Sequence, residues 1–194
     1  MKELFSAFNT DFFRALTTLI IPGALAVSTW SIQLVLTFGP LKNLIKDNHV
    51  ESALVLFIAV VFVGLVIEDI GARIESLLDT HADGETQGKH TKDWYEYLRT
   101  AFVCEPIGRR YIRTLVTRLK FERGTTIAIL IADTGLVVLW VGGFSSYRLS
   151  IILLLLSLLV AAYLEFLEAP ASHRLLGKAR SELLEGIRVV NSGK

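Results

Sequence analysis

A chain of 194 residues that is 52% hydrophobic, with a mean hydropathy of +0.51, is too apolar for an ordinary soluble domain of its size. Its formal net charge is only +1, so no overall field gathers nucleic acid or acidic substrates, and direct nucleic-acid binding is not expected. A single cysteine, Cys104, excludes an internal disulfide framework and any cysteine-rich metal site.

In chain order, Met1 to Arg14 places Phe5, Phe8, Phe12 and Phe13 at helical spacing, which suits either a short helix in the headgroup region or an N-terminal extension of the first span. The first uncharged run, Ala15 to Phe38, is long enough to cross ~30 Å of hydrocarbon. No cleavage-type site follows it, so it is expected to stay in place as a span. Pro22-Gly23 predicts a kink or break after Ile21, because proline removes one backbone hydrogen bond. Thr17, Thr18, Ser28, Thr29, Ser31 and Gln33 imply that one face of this span packs on protein. Lys42 to Glu51 reads as a short polar connection.

The second run, Ser52 to Ile67, continues its helical pattern through Glu75, with Asp69 and Arg73 spaced for pairing. A polar block follows. Leu77 to Thr91 has loop composition, Lys92 to Cys104 sets Trp94, Tyr95, Leu98 and Phe102 on one helical face, and Glu105-Pro106-Ile107-Gly108 is a turn. Arg109 to Phe121 then carries Ile112, Leu115, Val116 and Leu119 on one side and basic residues around the other. The pattern predicts a helical hairpin whose second arm runs almost unbroken into the third run, Gly124 to Tyr147. Ala128 and Ala132 there form a small-xxx-small step that permits close helix approach. A tight hairpin leads to the fourth run, Leu149 to Leu164, and Glu165, Glu168 and Pro170 mark its exit. The tail, Ser172 to Val190, aligns Leu176, Ala179, Leu183, Ile187 and Val190 as an amphipathic helix that lies on the membrane or covers the polar block.

The predicted class is therefore all-α: an integral membrane protein with four transmembrane helices, a cytoplasmic helical hairpin between spans two and three, and a C-terminal amphipathic helix. The segments are 1–75 (interfacial helix and two spans), 76–123 (platform), 124–168 (two spans) and 169–194 (tail). Only Lys42, Lys46 and Arg148 fall in the connections opposite the platform. The positive-inside rule thus puts both termini and the platform in the cytoplasm.

Three groups of residues are candidates for function. Asp133 lies near mid-bilayer, where a charged carboxylate costs about 2.5–3.5 kcal/mol on insertion scales. It reads either as a proton or cation relay or pore-lining acid, or as a protonated side chain bonded to Thr, Ser or Gln of the first span. Arg14, Glu68, Asp69, Arg73, Arg123, Glu165 and Glu168 should share the inner membrane boundary as an ion-pair belt, with gating as the sharper reading. Arg109, Arg110, Arg113, Arg118 and Lys120, with Trp94 nearby, form a basic surface for anionic lipid or for an acidic cytoplasmic partner.

His81, Asp83, Glu85 and His90 match no zinc or calcium loop spacing, so they read as a solvated loop and no metal is expected. Asp133-Thr134-Gly135 resembles the aspartic-protease tripeptide but occurs once, inside a span. No phosphate loop, G-x-S-x-G or H-E-x-x-H is present, so no catalytic residues and no cofactor are assigned.

The aromatic N-terminus leading into Leu19-Ile20-Ile21-Pro22-Gly23, the four-span layout and the basic middle together resemble the small four-pass membrane subunits of bacterial anti-phage defence systems, such as that of the Kiwa system. The resemblance covers the chain as a layout and rests on no single motif. It implies an inner-membrane component that recruits a cytoplasmic effector. The expected function is a non-enzymatic scaffold or sensor that forms a homo-oligomer, with a tetramer as first expectation, and docks a cytoplasmic protein. The alternative is an effector that forms a gated pore or disrupts the membrane.

Overall fold

The computed structural model describes residues 14, 16–81 and 107–192, and among them every element is helical. Four helices are long and apolar enough to cross a bilayer: Leu16–Thr37, His49–Ile74, Tyr111–Val141 and Arg148–Leu183. The chain is an all-α, multipass membrane protein. Its outward faces carry exposed leucine, valine, isoleucine and phenylalanine, Leu54, Phe62 and Leu159 among them, as a hydrocarbon solvent requires.

The first span is a π-helical turn, Leu16–Ile20, followed by α1, Ile21–Thr37. No break follows Ile21. The irregularity lies in the turn before it: Pro22 cannot donate to the preceding turn, and the wider π winding absorbs the loss. Thr17 and Thr18 donate their hydroxyls to the Arg14 carbonyl at 3.0 and 2.9 Å in the same region. The fourth span repeats this arrangement, with α5 (Tyr147–Tyr163), a π turn (Leu164–Glu168) and then Pro170 in the first turn of α6 (Ala169–Ser192). Pro170 therefore does not end the helix, and the tail continues from it as α6.

The connection between spans one and two is also helical rather than simply polar. Pro40 stands in the first turn of α2, Gly39–Asp47, where its missing N–H costs nothing. Leu41 and Ile45 are half-buried on one side, while Lys42 and Lys46 are exposed. The second span is part of α3, His49–His81, a single helix of 33 residues that extends past the apolar run.

α4, Ile107–Val141, contains 35 residues and so extends about 50 Å at the usual helical rise. The expected run from the basic segment into the third span is thus one uninterrupted helix. Gly143, at φ +73°, makes the left-handed turn that sends the chain back into α5. α5 and α6 then descend along α4 as one antiparallel arm. Every other major element packs on α4: α1 and α3 on one side, α5 and α6 on another.

Two small cores result. Ala26, Ile67 and Ala128 meet inside the bilayer region, flanked by Leu25, Val63, Ile127 and Ile131. At the basic end, Ala169 and Leu176 of α6 close over Ile112, Leu115 and Leu119 of α4. Of the two placements open to the amphipathic tail, α6 takes the second, covering the apolar side of the arginine-bearing helix with Leu176, Ala179 and Leu183.

Candidate functional site

Just beyond the apolar core of the basic end, side chains from five segments form a charged junction. Its centre is Glu122 on α4, only 4% exposed. Arg118, one turn earlier, donates Nε to Glu122 Oε1 at 2.7 Å and reaches Glu168 with Nη2. Glu168 closes the second π turn and also accepts the hydroxyl of Tyr163. Ser172, in the first turn of α6, is buried and donates to Glu122 Oε1 at 3.0 Å. Lys120 pairs with Glu68 of α3, which brings the second span into the same layer. Charge-assisted bonds of this kind are the stronger class. The half-exposed Arg118 is shared by two carboxylates, Glu122 and Glu168.

The predicted ion-pair belt is present in part, with different pairings. Asp69 and Arg73 pair at 2.9 Å, but both are well exposed. Glu68 and Glu168 find their partners in Lys120 and Arg118, two residues read from sequence as a docking surface. Arg123 does not close the belt, since its Nε and Nη1 are buried without a hydrogen-bond partner. Glu165 sits half-buried in the π turn one helical step before Glu168. Arg14 enters through its backbone carbonyl, which receives Thr17 and Thr18.

Among the basic docking residues, Arg113 is exposed, on the side of α4 away from the buried Ile112 and Leu115. Arg109 and Arg110 lie in the first turns of the same helix, and their side-chain surroundings fall outside the described residues. Trp94, Cys104 and the loop residues Asp83, Glu85 and His90 also lie outside them. Among the described residues no group of three histidine, cysteine, aspartate or glutamate side chains converges as a metal site.

Asp133 is 9% exposed, so it turns inward as expected, but the partner expected in the first span is not there. Its Oδ1 shares a hydrogen bond of 2.7 Å with Ser157 of the fourth span. The first span uses its donors elsewhere: Thr29 Oγ1 donates to the Ala132 carbonyl at 2.9 Å and Trp30 Nε1 to the Ile131 carbonyl at 3.1 Å. Gly135 makes this approach possible, because a methyl group there would collide with the Thr29 hydroxyl and lie 3.2 Å from Trp30 Cδ1. Thr29 and Trp30 of the first span thus spend their donors on backbone carbonyls and leave the acid to the fourth span.

Glu122 and Ser157 hold central places in these two polar contacts without having stood out among the candidate residues of the sequence. For Glu122 the signal was its four-residue spacing from Arg118, which places the two on one helical face. For Ser157 it was a lone polar residue within an otherwise aliphatic run.

Fold and site together define a class: a multipass α-helical membrane protein whose spans are tied at one end by a charged junction. No family model, curated protein or solved structure matches the chain.

Proposed function

We propose that the protein is a non-enzymatic membrane scaffold or sensor that docks an acidic cytoplasmic protein on the basic segment of α4. One observation carries this reading: α4 runs unbroken from Ile107 to Val141, so the basic segment and the third span are one rigid element. α6 occupies the apolar side of that segment through Leu176, while Tyr111 and Arg113 remain outward. Force or binding energy applied near Arg113 is therefore transmitted along the helix to the span that holds Asp133.

In this reading the chain sits in a bacterial inner membrane with both termini and the basic end in the cytoplasm. The charge asymmetry supports it, since only Lys42, Lys46 and Arg148 lie at the opposite ends of the spans. A homo-oligomer, with a tetramer as first expectation, and a role in anti-phage defence belong to the same proposal, the latter resting on the four-span layout.

Replacing Arg109, Arg110 and Arg113 together by Glu tests the docking surface. Co-purification of a cytoplasmic protein in mild detergent should be lost while membrane insertion is retained. Undiminished co-purification with the reversed charges would reject the docking surface.

A further inference from the structure

The hydrogens available between the third and fourth spans can be counted. The Ser157 hydroxyl has one hydrogen and two acceptors within reach: Asp133 Oδ1 at 2.7 Å and the Leu154 carbonyl at 3.0 Å. Asp133 Oδ2 is buried with no partner. An ionised Asp133 would leave two anionic oxygens with a claim on one hydrogen, which Leu154 also competes for. A buried charge served so poorly is strongly disfavoured.

With the acid hydrogen on Asp133 the count closes. Asp133 Oδ1–H donates to Ser157 Oγ, and Ser157 donates to the Leu154 carbonyl. The one group left without a donor, Oδ2, is then a neutral carbonyl oxygen, for which the penalty is smallest. The elements packed around α4 offer no compensating charge at this depth. Ala15–Phe38, Ser52–Ile67 and Leu149–Leu164 contain no ionisable lysine, arginine or histidine, and Thr29 and Trp30 are committed to Ala132 and Ile131.

We propose that Asp133 is a proton-binding site of the folded protein, holding its acid hydrogen within the membrane and donating it to Ser157, so that the third span is the donor and the fourth the acceptor.

Infrared difference spectroscopy of the full chain in nanodiscs at neutral pH, wild type against Asp133→Asn, tests the site. The expected result is a protonated-carboxyl carbonyl band that the variant lacks, with no carboxylate bands lost. Ser157→Ala should keep this band and move it to higher frequency as the acid loses its acceptor. Loss of carboxylate bands in place of the acid band overturns the proposal, and an acid band unmoved by Ser157→Ala overturns the donation to Ser157. Should Asp133→Asn fail to insert, carbon-13 labelling of aspartate side chains in the unaltered chain keeps the test open. One neutral-acid carboxyl resonance is expected there, and ionised resonances alone would overturn the proposal.

Discussion

The two hairpins of this protein hold together in opposite ways. Spans one and two meet backbone to backbone: a methyl group on Gly23 would strike the Val60 carbonyl oxygen, and one on Gly64 would strike the carbonyl of Leu19. Spans three and four meet through side chains, Asp133 with Ser157 inside the bilayer and Arg118, Glu122, Glu168 and Ser172 at the basic end. The first contact consists of missing atoms and is harmed by adding any. The second consists of specific atoms and is harmed by removing them. Lipid tails are as apolar as leucine, so neither hairpin can rely on burying apolar surface within the bilayer. Close approach and polar bonds are the two remaining means, and the chain uses one for each pair.

The sharpest way to break this contrast is to add atoms to the first hairpin. Gly64→Val drives a branched side chain into the backbone of Leu19, whose carbonyl carbon would lie 2.8 Å from even a single added methyl. Backbone cannot yield as a flexible side chain can. The expected cost is at or above about 3 kcal/mol, the upper end for overpacking, measured by SDS-titrated unfolding. The same change made at Gly71, where the nearest atom is the Ile127 Cδ1 at 3.9 Å, should cost far less and serves as the control.

Removal should dominate in the second hairpin. Leu176 is 3% exposed and seals Ile112, Leu115 and Leu119 at the basic end. Leu176→Ala should cost about 2 kcal/mol, the low end for buried leucine, because the tail can partly settle into the gap. Limited proteolysis should then cut α6 sooner than it does in the wild type, with the spans still protected. Equal cleavage rates would show that the tail is held by the charged junction alone.

The contrast also explains what was legible in the sequence. The spans were, because a bilayer imposes a long apolar stretch that four runs satisfy. Pro22-Gly23 was read for its proline, yet Gly23 does at least as much, and its partner Gly64 drew no notice. A contact made of absent side chains leaves only a glycine as its trace, and the helix depths that bring two glycines together are set by packing. Asp133 was read correctly as inward-facing, but its partner was sought among the many hydroxyls of the first span. Thr29 and Trp30 spend those donors on backbone carbonyls, which no side-chain pattern announces. Lys42–Glu51 looked merely polar because Leu41, Leu44 and Ile45 span too short a stretch to weigh against the charges. Arg118 and Lys120 stood out as surplus positive charge, yet their carboxylate partners Glu168 and Glu68 are 50 and 52 residues away along the chain.

Lys120 and Glu68 give the smallest expected effect and the finest probe of the comparison, since theirs is an ion pair that joins the two hairpins, where Thr29 and Trp30 reach across to backbone carbonyls. Their side chains are 33% and 27% exposed, at the edge of the apolar region, where water and headgroups screen the pair. Replacing Lys120 by Met keeps most of the aliphatic stem and removes the charge. Half-exposed pairs are worth about 0–1 kcal/mol, so unfolding in SDS should shift only slightly. Geometry rather than stability should register the change: a spin-label distance between α3 and α4 at the basic end should broaden, while the Gly23–Gly64 crossing stays fixed. If the distance distribution is unchanged, apolar packing such as that of Ile67 on Ala128 sets the register of the second span against the third without the pair.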